Sequence, residues 1–210
     1  WRASETLRLE QELFKQRRRL ADAERALATK VTKKATEDER IASSKVSQIL
    51  AWLGDLQRDA PKPRDARIFP SHYCHVIAWE EGRRVLKPMR YGCRPAGKPA
   101  FYDTKYPGTY NARRDNLEKF WKGQFAQHHG VMVATCFYEN IARDGKNVVL
   151  EFRPDSAQPM LVACLWSHWT APGEPDLLSF AAITDEPPPE VAAAGHDRCI
   201  VPIRAENIDA

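Results

Sequence analysis

No stretch of the 210-residue chain approaches the roughly 18–20 consecutive apolar residues that a membrane helix needs, and its first twenty residues are charged where a secretory leader would be apolar. These absences predict a soluble, cytoplasmic protein without a membrane partner. Paired cysteine motifs are missing too. Cys74, Cys93, Cys136, Cys164 and Cys199 are odd in number and widely spaced, with no C-x-x-C among them, which removes the usual signs of a zinc site or redox dithiol and fits a reducing compartment. Trp1 stands where an initiator Met would, and the chain ends in what reads as an unfinished helix after Arg204, so it reads as part of a longer protein. At 43% apolar residues the chain can bury one sizeable core, and one compact domain with an appendage is expected.

A net charge of +4 hides a partition. Residues 83–122 carry 11 basic and 3 acidic groups, a local +8, whereas residues 123–210 carry 5 and 12, a local −7. The middle segment has the charge to meet a phosphate backbone, with a solvated basic face as the alternative.

Leu13, Leu20 and Leu27 recur every seven residues, and Val46, Ile49, Leu50 and Leu53 repeat a helical spacing, so two amphipathic helices are expected over residues 1–58. Thr36 with Glu39 resembles a capping box that would start the second helix after a turn at residues 29–35. The hairpin either packs on its own domain or serves as an arm for a partner or nucleic acid. Two prolines among charges mark residues 59–67 as a linker, and a second unit spans 68–210. Strands are expected at 76–79, 84–89, 131–138, 148–152, 160–166, 178–184 and 200–203, with turns at Glu81-Gly82 and Asp144-Gly145. One helix is expected among them, capped by Asp115 with Leu117, Phe120, Trp121 and Phe125 as its apolar stripe. The fold class is α+β with a largely antiparallel sheet.

Four ordered segments then point further: PMRYGCRP from Pro88, NAR from Asn111, CFYEN from Cys136 and HDRCIVP from His196. Together with LWSHW at Leu165 they resemble the SRAP family, the SOS response-associated peptidases that sense abasic sites in single-stranded DNA, over about residues 68–210. The resemblance implies an SRAP-type core with a few helices, preceded here by the helical hairpin and incomplete at both ends. It also implies a reaction. In this family an amino-terminal cysteine condenses its amine with the aldehyde of an abasic sugar, and its thiol closes a thiazolidine; an associated autopeptidase activity removes the initiator Met. An α-amino group, with a pKa of about 8, is far more nucleophilic near neutrality than a lysine at about 10.4. This chain has Trp1 at that end and only internal cysteines, so as written it is expected to hold the pocket without the nucleophile.

By the same resemblance Glu139 is the active-site glutamate, His196 is the motif histidine suited to proton donation, and Asn111 positions the sugar. Arg113 is the phosphate contact the resemblance implies, Arg90, Arg114 and Arg198 are further candidates with surface ion pairs as the alternative, and Tyr91, where the family usually has Trp, offers a ring for base stacking. Asn140, Cys199, Asp115 and Asn116 depart from the family's usual residues. No cofactor and no metal are expected: His72, Cys74 and His75 are close in sequence, but neighbours on a strand face opposite ways and further ligands are not evident. The implied partner is abasic single-stranded DNA; protein partners are not indicated. Two other readings stay open. One is a non-catalytic single-strand DNA-binding module; the other, a cysteine hydrolase using His196 with Cys136 or Cys199, lacks a nucleophile-elbow sequence.

Overall fold

The computed structural model describes residues 2–156 and 158–208. It forms two compact units that divide between Ala66 and Arg67. Among the described residues no helix is long and apolar enough to cross a membrane.

The first unit is a hairpin of α1 (Arg2–Thr29) and α2 (Lys33–Leu56). Leu9, Leu13 and Ile49 form its small core with Val46, Leu53 and Leu56 against them. The second helix starts earlier than the Thr36 capping box suggests. Thr32 is the cap, its hydroxyl accepting from the Ala35 amide at 3.1 Å, so a cap four residues upstream satisfies the helix end expected at Thr36.

In the second unit β1 (Tyr73–Glu80) and β2 (Arg83–Tyr91) form the expected hairpin, followed by β3 (Asn111–Arg113), β4 (His129–Ala134), β5 (Phe137–Arg143), β6 (Lys146–Phe152), β7 (Met160–Trp169) and β8 (Leu177–Asp185). The pairs β1–β2, β1–β4, β4–β7 and β7–β8 are antiparallel and β2–β8 is parallel, so these five strands close a ring. β3 adds to the outer edge of β8 in parallel, and β5–β6 stands as a separate two-stranded sheet. Both hairpin turns have positive φ at their two central residues, Glu81-Gly82 and Asp144-Gly145, the left-handed pair that suits the twist of a two-residue connection.

Alternating residues of β7 and β8 face two cores. Cys164, Trp166, Phe180 and Ala182 point into the ring with Val76, Met89, Met132 and Val162. Leu165, Ala181 and Ile183 point outward, where Cys93, Ala112, Leu117 and Trp121 cover them. Burial on both faces explains why these two strands read as continuous apolar runs rather than alternating ones. β4 can cross the ring closely because residue 130 is glycine: a Cβ there would lie 2.9 Å from Val76 Cγ1 and 3.1 Å from the Ile77 carbonyl oxygen.

Several expected elements are broken up. The strand expected at 131–138 is two strands interrupted at Cys136, which lets the chain leave the ring for the separate hairpin. The helix expected after Asp115 is a 3-10 turn at Arg114–Asn116 and the single turn α4 (Lys122–Phe125). Asp115 does not cap it but pairs with Arg113, while Asn116 Oδ1 accepts from the Phe120 amide at 3.4 Å. Leu117 and Trp121 are buried as the stripe requires, and Phe120 remains 36% exposed. Two further short helices, α3 (Tyr102–Lys105) and α5 (Pro189–Ala193), were not expected. The strand expected at 200–203 is β9 (Cys199–Ile200) on β8 and β10 (Pro202–Ile203) on β7; it bridges two strands and is only partly buried. After Arg204 the chain forms a 3-10 turn.

The segment between β2 and β3 is tied down by charge. Asp103 binds Arg90 through one carboxylate oxygen and Arg94 through the other, with the three side chains only 11%, 17% and 12% exposed. Arg94 also lies 4.5 Å above the Trp169 ring, and Trp169 donates its indole N–H to the Lys98 carbonyl at 2.6 Å. Burial pushes the Asp103 carboxyl up, but hydrogen bonding from Arg94 and the charge and hydrogen bond of Arg90 outweigh it and hold the group below the usual carboxylate range. Asp103→Asn leaves two buried guanidinium groups without their anion and should cost on the order of 3 kcal/mol at pH 7. Because the folded carboxyl is the stronger acid, this stabilisation is present above an unfolded pKa of about 3.9 and is lost as pH falls through the folded value. Urea denaturation of parent and variant should therefore differ at pH 7 and converge as pH falls below the folded carboxyl's value.

Candidate active site

Glu139 lies on β5 opposite Leu150 of β6. Its carboxylate Oε2 is 3.0 Å from His196 Nε2, with the two side chains 24% and 19% exposed. His196 follows α5, and its Nδ1 lies 2.8 Å from the Arg198 carbonyl oxygen and 3.3 Å from the Arg198 amide. The shorter contact assigns the proton to Nδ1, donating to that carbonyl, and turns Nε2 toward Glu139. At 3.0 Å the two atoms are close enough to share a proton. Burial pushes the Glu139 carboxyl up; the nearby charges of His196 and Arg198 pull it back and Asp197 adds to the rise, leaving the group above its ordinary value.

Asn111 opens β3, in register with Ala182 of β8. Its Oδ1 accepts from the Tyr91 hydroxyl at 3.4 Å. The Tyr91 ring stacks on Phe180 at 5.1 Å and meets Tyr110 edge-on at 5.8 Å. Burial, then the neighbouring Tyr110, Glu139 and Cys74, push the Tyr91 hydroxyl well above its ordinary value, so Tyr91 stays a neutral donor and lies within electrostatic reach of Glu139. One face of Tyr91 is taken by Phe180, which makes it a support for Asn111 more than an open platform for a base.

An open polar groove of about 520 Å³ is lined by Tyr110, Asn111, Arg113, Asn116, Lys119 and Arg198, among others. Arg113 is 52% exposed there, with Asp115 at 3.2 Å, and Arg198 is 40% exposed with Asp197 at 3.5 Å. The other two arginines go elsewhere. Arg114, 72% exposed, pairs with Asp185 at 2.7 Å, and Arg90 is committed to Asp103. Thus Asn111, Arg113 and Arg198 come together in the groove, Glu139 and His196 adjoin it through Arg198, Tyr91 braces Asn111, and Arg90 belongs to the framework. Sequence reading missed Tyr110, Asn116 and Lys119 as groove residues. The basic segment carried a signal for Lys119, but none existed for Tyr110, whose place depends on how the 3-10 turn at Pro107–Tyr110 enters β3.

Four of the internal thiols, Cys74, Cys93, Cys164 and Cys199, are poor nucleophiles. Burial pushes Cys74 and Cys199 up to about 11 and Cys93 up to about 12, and it raises Cys164 as well. For Cys199 the neighbouring Glu139 charge adds to the rise. A hydrolase that pairs His196 with Cys199 therefore lacks its thiolate.

A model of the SOS response associated peptidase family, SRAP, matches residues 25–210. The chain belongs to the SRAP family. The match reaches back through α2, which the motif resemblance from residue 68 left outside. Among solved structures the chain is similar to a protein of Bordetella bronchiseptica, with TM-score 0.58 and 23% identity over 70% of this chain and 74% of that one. It is also similar to a protein of Bacteroides thetaiotaomicron, with TM-score 0.59 and 14% identity over 66% of this chain and 61% of that one. At these identities the likeness concerns the fold. No curated protein matches the chain. SRAP membership makes this a peptidase-like protein associated with the SOS response.

The raised Glu139 carboxyl has a consequence for stability. With its folded pKa above an unfolded value of about 4.3, the neutral carboxyl favours the fold at low pH, and that contribution is lost as pH rises through the folded value. Glu139→Gln, neutral throughout, avoids the loss. Urea denaturation at pH 4 and pH 7 should show the variant gaining stability relative to the parent at the higher pH; a difference that does not change with pH would mean the carboxyl is not held up.

Proposed function

We propose that the SRAP unit binds single-stranded DNA at abasic sites and catalyses capture of the ring-opened sugar as a thiazolidine crosslink, with the family's autopeptidase step performed by the same groups. The observation that carries this reading is the 3.0 Å contact between Glu139 and His196, beside a groove that gathers Asn111, Arg113 and Arg198.

The roles follow from the chemistry. An abasic sugar opens when its anomeric hydroxyl gives up a proton and its ring oxygen takes one, a transfer the Glu139–His196 pair can make by passing its shared proton. An amine adds to the aldehyde, and the resulting carbinolamine loses water when its hydroxyl is protonated. A thiol then adds to the imine carbon while its proton goes to the nitrogen, closing the five-membered ring. Asn111, with its side-chain oxygen held by Tyr91, keeps its amide N–H groups for the sugar. Arg113 and Arg198 face phosphates across a groove open to solvent.

The ring closure needs an amine and a thiol on adjacent carbons, the arrangement of an amino-terminal cysteine. A polypeptide that starts at Trp1 has only internal cysteines, so it should bind abasic single strands and give no band shift on a denaturing gel without reductant. The same unit carrying an amino-terminal cysteine should give the shifted band, and Glu139→Gln should slow its appearance. Equal rates for variant and parent would remove Glu139 from the mechanism.

Binding itself should weaken steeply with added salt, because each phosphate contact on a single strand contributes about −0.7 to the slope of log affinity against log salt. Arg113→Ala should lower affinity alike for all base sequences and flatten that slope by about one such contact. Binding insensitive to salt in a fluorescence anisotropy titration would defeat the electrostatic reading.

A further inference from the structure

Beside the groove lies an aromatic and basic surface to which the chemistry above gives no part. Tyr102, Tyr106 and Phe120 form a ladder: Tyr102 is 4.8 Å from Tyr106 and 6.3 Å from Phe120, the second pair stacked at 18°. Phe120 in turn meets Trp121 edge-on at 4.9 Å, and Trp121 is part of the groove wall. Ladder and groove are therefore continuous. Tyr106 and Phe120 remain 48% and 36% exposed, large apolar faces left in water, and Phe120 is the member of the expected buried stripe that stays outside.

Lysines frame the rings. Lys98 Nζ lies 5.2 Å from the Tyr102 centroid and 5.7 Å from that of Phe120, and Lys105 Nζ lies 5.5 Å from Tyr106. Among the described residues none of Lys98, Lys105 or Lys119 has a carboxylate within ion-pair distance. Each site arginine, in contrast, is matched to an aspartate. Exposed rings interleaved with unpaired cations suit a flexible strand that offers alternating base faces and phosphates; sequence-tolerant stacking and charge are the two terms of single-strand binding.

We propose that Tyr106 and Phe120, with Lys98 and Lys105, form a second binding segment for single-stranded DNA that takes the nucleotides flanking the lesion and leads them into the groove. The inference rests on the single-strand reading above and adds to it a strand path and a length requirement. The rings contribute affinity independent of salt; the lysines contribute the salt-dependent part.

The test uses fluorescence anisotropy on the full chain with a labelled 15-nucleotide abasic single strand, and competition by a 5-nucleotide abasic strand that reaches the groove alone. The double variant Tyr106→Ala/Phe120→Ala should weaken the long strand by about tenfold, with the salt slope and the competing strength of the short strand unchanged. Because Phe120 also packs on Trp121, the variant Phe120→Leu keeps an apolar side chain there and should reproduce part of the loss with an unchanged melting temperature. Lys98→Gln/Lys105→Gln should instead flatten the salt slope by about 0.7 per lysine. Long-strand affinity equal to the parent in all three variants overturns the proposal, and is the result expected if the patch serves a protein partner. Equal losses for short and long strands also overturn it, since the patch would then only prop the groove. A parent that binds neither strand overturns the underlying reading, an outcome distinct from failure of the patch alone.

Discussion

β8 is the element on which the rest of the site hangs. Buried on both faces, it closes the five-strand ring through β2 and β7 and then carries the site on its outer edge. Phe180 supports Tyr91, Ala182 sets the register of Asn111, Thr184 pairs with Ile200 just beyond His196 and Arg198, and Asp185 holds Arg114. A strand buried on two sides cannot slip by one residue without turning both cores inside out. The relative positions of Tyr91, Asn111 and the 196–200 segment are thus fixed by apolar packing, at a distance from the polar groups that use them.

Glu139 is supported differently. It sits on the separate β5–β6 hairpin and depends on one close contact with His196. That division suits proton transfer. In the proposed mechanism Asn111 would hold the sugar from a strand paired to β8, while Glu139 and His196 would pass a proton between the β5–β6 hairpin and the segment after α5. Burial raises the carboxyl and the adjacent cations restrain the rise, a balance that keeps the group able both to hold and to release a proton.

The hairpin turns, the apolar strands and the motif residues were legible in the sequence because each depends on local pattern: two left-handed turn residues, uninterrupted apolar runs, short conspicuous peptides. What was not legible depends on pairing between distant segments. Nothing local marks Asp103 as the anion for Arg90 and Arg94, so Arg90 read as a phosphate contact. Asp115 has the residue type of a helix cap, yet the Arg113 guanidinium takes it, and the turn that follows stays 3-10. The strand expected at 131–138 broke at Cys136 because half of it joins the ring and half forms a hairpin of its own, a choice made by tertiary pairing rather than by propensity.

The charge partition along the chain looks different once those pairings are in place. The +8 of residues 83–122 suggests a uniformly attractive face, but within it Arg90, Arg113 and Arg114 each hold an aspartate, as Arg198 does outside it. A phosphate arriving at Arg113 or Arg198 must compete with that carboxylate, so the gain is the difference between two ion pairs, and the aspartates hold the guanidinium forks in place before any ligand arrives. Arg90 exchanges less readily, because releasing Asp103 would leave a buried guanidinium and one oxygen of a buried carboxylate without their partner, Arg94 holding only the other oxygen. If the groove takes a single strand as proposed, the arginines would fix where a phosphate sits, and the lysines along the aromatic ladder, which hold no aspartate, would add attraction without that competition.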